Sequence, residues 1–350
     1  MSSKCFFAFF LLGMLSVLIS CKEEKSVPDV SGISTDGKFD HGFLYIFDPN
    51  GQEKIQATLT GANKTFLDLY LHQVIFPRDT SVTDENAAAK LAAIASDPIM
   101  KGLSDTLHLA FDDQLTDLNT AFQNSFKYLK HYFPDYPTPN IYLCNTLFNY
   151  QKFIFQDVDG KDGIALGGEM FLNDYIDYKG LDPTNPAYSD YLTRTFNREH
   201  LVKKAMDLVV DELAGPPSGG RLLDYMIQNG KKLYVLQHLL PYAPDSIIFE
   251  YTPEQVAWCK ENELEMWGFF LEEKLFFESS PLKIAKFISD SPNSPGMPVE
   301  APGKTANYLG LQIIKKYVEN TPGMDIRQLL KQNNSQEILD KSRYKPKAKQ

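Results

Sequence analysis

Residues 140–172 read NIYLCNTLFNYQKFIFQDVDGKDGIALGGEMFL, and this stretch decides the fold class. Three β-type runs, 140–143, 150–155 and 164–172, follow one another in it, each rich in branched and aromatic side chains. The connector Asp157-Val158-Asp159-Gly160-Lys161-Asp162-Gly163 is dense in turn formers and predicts a hairpin between the second and third runs. Its aspartates invite a calcium reading. An EF-hand loop, however, needs an oxygen ligand where Lys161 stands and a glutamate one position before Glu169, so the residues predict a plain turn.

Upstream, Phe43-Leu44-Tyr45-Ile46-Phe47 reads as an early strand stopped by Asp48-Pro49-Asn50-Gly51, while 63–75 and 87–94 read as helices. Between 112 and 133 apolar residues fall at Leu115, Leu118, Phe122, Phe126, Leu129 and Phe133, which marks an amphipathic helix closed by Pro134. Downstream, 190–213, 221–240, 253–277 and 304–320 carry helical periodicity, Thr252-Pro253 being a cap and first-turn pair. Short helices are expected at 324–330 and 335–342. Together these predict an α+β fold, a small N-terminal β-sheet packed with a mainly helical C-terminal part, in a single domain over 40–350.

The N-terminus has a different character. Lys4 precedes an apolar run over 6–18, and Leu18-Ile19-Ser20-Cys21 resembles a lipobox. The reading is a lipoprotein signal peptide over 1–20, cleavage before Cys21, and acyl chains on that thiol, followed by a polar tether over 21–39. The membrane, reached through Cys21, is one expected partner. Lys22, where an inner-membrane-retained lipoprotein would carry aspartate, favours the outer membrane, with the domain on the periplasmic side of the envelope. Acidic residues outnumber basic ones, 45 to 35, the wrong sign for nucleic acid. Cys144 and Cys259 are expected to be buried free thiols, and residues 341–350 a solvated basic tail.

The chemistry is mostly absence: no G-x-S-x-G elbow, no P-loop, no G-x-G-x-x-G and no H-E-x-x-H. The six histidines are scattered, so no catalytic residue, metal site or cofactor is assigned. In the 190–213 segment, Leu192, Phe196, Val202, Met206, Val210 and Leu213 form a stripe with Glu199 at its centre and His200 about a third of a turn away. Glu199 is either a base or ligand in a cleft or, the favoured reading, one half of a Glu199–Lys203 pair at the rim of the core. The aromatic run from Trp258 to Phe277 reads as core more than as a partner-binding face.

Several motifs together resemble the gliding-motility-associated lipoproteins of the B type, the GldB family of Bacteroidetes. They are Ile164-Ala165-Leu166-Gly167-Gly168-Glu169-Met170-Phe171-Leu172, Gly230-Lys231-Lys232-Leu233-Tyr234, the run Pro302-Gly303-Lys304-Thr305-Ala306-Asn307-Tyr308-Leu309, and Glu337-Ile338-Leu339-Asp340 with the residues after it. The resemblance implies an envelope protein serving gliding motility and its associated secretion machinery, with envelope or gliding-machinery proteins as partners and no enzymatic activity. It also suggests a distant likeness to a zinc-peptidase group. The natural register places the zinc helix at Met206-Asp207-Leu208-Val209-Val210 and the later ligand at Asn229. Met206, Val210 and Asn229 cannot replace two imidazoles and a carboxylate, which implies a zincin-like shape lacking metal ligands. Glu199, His200, Lys203 and Asn229 are then the candidate cleft residues of a non-catalytic binding protein, a pseudo-peptidase. The alternative is a divergent metal-dependent peptidase or other hydrolase built on Glu199 or Glu169.

Overall fold

The computed structural model describes residues 27–49 and 51–346. The signal peptide expected at 1–20, Cys21 and the last four residues of the basic tail lie outside the described residues. The fold is α+β, with a four-stranded mixed sheet in the order β1-β2-β4-β3: β1 (Phe39–Asp40), β2 (Asn140–Cys144), β3 (Lys152–Gln156) and β4 (Asp162–Gly167). The expected hairpin is present, β3 pairing antiparallel with β4, and its fold-back brings β4 parallel to β2. Asp157 in the connector serves the hairpin: its carboxylate accepts from the Tyr142 hydroxyl and from the side-chain amides of Asn140 and Asn63.

Both faces of the two central strands are buried, which is why β2 and β4 read as continuous apolar runs, while the edge strand β3 is partly exposed. Ile141, Leu143, Ile164 and Leu166 join the larger core with the later helices. Tyr142, Cys144 and Ala165 face a second cluster built from residues 43–95. The sheet is therefore sandwiched, with helices from the N-terminal third on one side and the C-terminal helices on the other.

The early strand expected at 43–47 is not formed. Its residues make consecutive turns, Leu44 N–H donating to His41 O and Asp48 N–H to Tyr45 O, because they must serve two cores at once. Phe43, Ile46 and Phe47 enter the second cluster and Leu44 the larger one. The first strand lies instead at Phe39–Asp40, parallel to β2. The second half of the 164–172 run likewise leaves the sheet, Gly168–Phe171 forming a 3-10 turn.

Residues from Val30 to Phe39, read as tether, pack on the domain: Val30 is buried, Gln123 Nε2 donates to Gly37 O, and Asp36 pairs with Lys161. Two long helical segments are broken. The 190–213 segment divides into Asp190–Thr193 and Arg198–Ala214, because Asn197 caps a new helix by accepting from His200 N–H. The 253–277 segment divides at Asn262 into Pro253–Glu261 and Glu263–Glu272 before a 3-10 turn. Its aromatics are mostly core, Phe270 and Phe276 being buried, while Phe277 is 65% exposed. Cys144 and Cys259 are buried free thiols.

The most extensive helix pair is Leu222–Leu239 against Thr305–Glu319. They cross at Gly230 and Gly310, where the backbones touch: a Cβ on Gly310 would meet the carbonyl of Met226, and one on Gly230 would meet the carbonyl of Gly310 and stand 2.8 Å from Leu311 N. That crossing fixes where the N-terminus of the 305–319 helix arrives.

Candidate functional site

The Arg198–Ala214 helix turns His200, Lys203 and Asp207 along one side, at spacings of three and four, while Glu199 falls in its exposed first turn. The Glu199–Lys203 pair is accordingly absent. Lys203 is buried, and its ammonium lies 2.8 Å from Glu250 Oε1 and 3.1 Å from Asp207 Oδ2. His200 is also buried, held through Nδ1 by the Asn197 side chain at 2.8 Å. Burial first, then the nearby Lys204, Lys203 and Arg194 charges, push its pKa down to about 4, so the imidazole is neutral at physiological pH.

Glu250 is the centre of the site. It follows the short helix Asp245–Phe249 in the left-handed region, φ 58°. Its Oε1 receives Lys203 and Lys204, both at 2.8 Å, and its Oε2 receives Lys304 at 3.0 Å. Lys304 also has φ 60° and pairs with Asp290 at 2.6 Å. Two non-glycine residues in the left-handed region, joined by an ion pair, are the strained and over-determined backbone that collects at working sites. Lys152 reaches in from β3 to Asp207 at 3.1 Å and to Lys204 O at 3.0 Å. Arg194 donates to Glu250 O at 2.8 Å, and its Nε is buried with no partner.

Burial would raise the Glu250 carboxyl, but Lys203, Lys304 and Lys204 together outweigh it and hold the group well below the usual carboxylate range. Burial, with the neighbouring Lys203 charge, lowers Lys204 despite the pull of Glu250 and Asp207. Lys304 is held above the ordinary lysine value: burial opposes the charge, but Glu250 and Asp290 prevail.

Beside this network opens a cavity of about 180 Å³. Lys152, Lys203, Lys232 and Lys304 face it, together with Asn229 and Asn307, and Val210, Leu233, Leu236 and Phe249 supply an apolar wall. Asn229 donates to Asn307 Oδ1 at 2.8 Å, and Lys232 pairs with Asp211 at 2.8 Å. Of the four cleft residues expected from sequence, Lys203 and Asn229 thus share one cavity, His200 lies buried behind Lys203, and Glu199 points to solvent. At the positions of the zinc helix, Met206 is fully buried, receiving the Ser125 hydroxyl on its sulfur, and Val210 lines the cavity. Among the described residues, no three His, Cys, Asp or Glu side chains cluster as a metal site.

Sequence reading missed Lys152 and Glu250, which no local spacing links to the 198–214 helix. Lys304 stood within the quoted Pro302-Gly303-Lys304 run, without a role.

Glu169, the other candidate acid, is fully buried, so no substrate reaches it in this conformation. Its Oε1 accepts from the N–H groups of Thr146 and Phe148, each at 2.9 Å, and from the Thr146 hydroxyl; Oε2 has no partner. The bonds pin Leu147 and Phe148 at φ 55° and 61°. Burial pushes this carboxyl from 4.5 up to about 7 against the pull of those donors. A raised carboxyl pKa means the fold favours the protonated form: the contribution is full below pH 4.5 and is lost as pH rises through about 7. Glu169→Gln should therefore abolish one descending limb of the stability profile between those values. Thermal melts at half-unit pH steps test this, and parallel profiles for the two proteins would refute it.

A sequence profile of the family described as gliding motility protein GldB matches residues 23–346. No curated protein and no solved structure matches the chain.

Proposed function

Because the chain belongs to the family of the gliding motility protein GldB, we propose that it is a membrane-anchored envelope lipoprotein that supports gliding motility and its associated secretion machinery by binding rather than by catalysis. Acyl chains on Cys21 hold it, at about 0.8 kcal/mol per buried methylene, on the periplasmic side of the outer membrane. Its partners are other proteins of the envelope and the gliding machinery.

One observation carries the non-catalytic reading. Every lysine and carboxylate facing the cavity is committed to an ion pair, Lys203 and Lys152 to Asp207, Lys304 to Glu250 and Lys232 to Asp211, and the Tyr251 hydroxyl donates to Gly303 O. A general base or acid needs a pKa near the working pH, and here the central carboxyl is driven well below it. The positions that would carry zinc ligands hold a buried thioether, an aliphatic side chain and an amide bonded to its neighbour.

Metal analysis of the mature protein, purified from membranes without a histidine tag, tests this. Less than a tenth of an equivalent of zinc is the expected result. Near-stoichiometric zinc, together with chelator-sensitive hydrolysis of a peptide library, would overturn it in favour of a divergent metal-dependent peptidase.

A further inference from the structure

The cavity between the 198–214, 222–239 and 305–319 helices has a polarity that selects its occupant. Four lysines, 152, 203, 232 and 304, line it against two carboxylates, Asp207 and Asp211, and the ion-pair network continues beyond the lining through Glu250, Asp290, Lys204 and Arg194. Two positive charges are left over in a largely buried network, where an uncompensated charge is costly. The ammonium groups also keep unused protons. Lys232 makes one ion pair out of three possible bonds, and Lys203, Lys304 and Lys152 make two each. The 305–319 helix begins at Lys304, and the side chains of Lys304 and Asn307 reach the cavity from that end.

Val210, Leu233, Leu236 and Phe249 add an apolar lining. At about 180 Å³ the space is below the range of about 300–1,000 Å³ typical of sites for whole small molecules. It has room for a terminal group and one apolar side chain. The only carboxylates present are those already shared among the lysines, so the missing element is one further anion attached to something apolar.

We propose that this cavity binds the C-terminal carboxylate of a partner polypeptide whose last residue is apolar. The carboxylate meets Lys232, Lys304 and the Asn307 side chain, and the terminal side chain lies on Val210, Leu233 and Phe249. This rests on the binding reading above and names its ligand class: end recognition, in which a free α-carboxylate is the deciding feature.

The test uses the full-length lipoprotein in detergent micelles and a fluorescent pentapeptide, Gly-Ser-Gly-Ser-Leu, labelled at its N-terminus, in free-acid and C-terminally amidated forms, read by fluorescence anisotropy. The free acid should bind at least tenfold more tightly than the amide. Lys232→Gln should weaken the free acid about tenfold while leaving the melting temperature within a degree or two, since the ion pair it removes is with the half-exposed Asp211. Equal binding of acid and amide would overturn the proposal, as would absence of free-acid binding at millimolar concentration. Competition by inorganic phosphate or by a long-chain fatty acid as strong as by unlabelled peptide would also overturn it, pointing to a general anion or lipid site. None of these outcomes touches the non-catalytic reading, which stands or falls on zinc content.

Discussion

Gly310→Ala is expected to cost about 3 kcal/mol or more, a penalty at the top of the overpacking range because the atoms in the way belong to backbone. A methyl at this position would run into the Met226 carbonyl, with Met226 C at 2.8 Å and Cα at 3.3 Å, and no rotamer change can relieve it. The 305–319 helix must move off the 222–239 helix, carrying Lys304 away from Glu250. Urea unfolding followed by circular dichroism measures the loss. Gly102→Ala is the control: it sits inside the Pro98–Phe111 helix with nothing within 4 Å of the added methyl, so it should gain about 0.5–1 kcal/mol from helix propensity. A Gly310→Ala protein as stable as wild type would show that the two helices can part without penalty.

Glu250→Ala should be comparably severe, about 3–5 kcal/mol, since it leaves Lys203, Lys204 and Lys304 facing one another with their shared counter-ion gone. Its pH signature is opposite to that of Glu169. A carboxyl held below its ordinary value stabilises the fold above about pH 4.5, and that contribution fades as pH falls through the lowered pKa of the folded state. The variant should thus lose most stability at neutral pH and converge on wild type in acid. A constant difference from pH 7 down to pH 3 would mean that lost packing, not lost charge pairing, causes the defect. Replacing Lys203 with leucine in the Glu250→Ala background should recover part of the loss.

The central hairpin was legible because β3 and β4 are joined by a short connector full of turn residues, and the amphipathic helix ending before Pro134 was legible from its stripe. The 335–342 helix fell where periodicity put it. What failed has local physical causes. Phe43 to Phe47 looks like a strand by composition, yet its side chains divide between two cores, which alternation cannot report. The Gln52–Gly61 helix buries only Ile55 and Leu59 and leaves little periodic signal. Asn197 lies inside a continuous apolar stripe, so the break that sets the phase of the next helix was hidden, and with it the exposure of Glu199. The Pro98–Phe111 helix was overlooked although Asp97-Pro98 is a cap and first-turn pair.

For the site, the sequence yielded Lys203 and Asn229 but not the reason they matter. Glu250 meets lysines 46, 47 and 54 positions away in sequence. Ion pairs of that separation carry no periodicity, and the helix crossing at Gly230 and Gly310 that positions Lys304 is a tertiary contact as well.

Under the anchoring at Cys21 proposed above, the packed N-terminal segment has a mechanical meaning. Lys38 O accepts from Ile141 N–H at 2.8 Å, Lys38 N–H donates to Asn140 Oδ1 at 3.1 Å, and Gln123 grips Gly37 O at 2.8 Å. β1 runs parallel to β2, so tension along the strand axis loads these bonds side by side, in shear, instead of unzipping them singly. The load passes straight into β2, the strand clamped between both cores. Under that anchoring, a tug from the membrane is delivered to a strand that both cores hold.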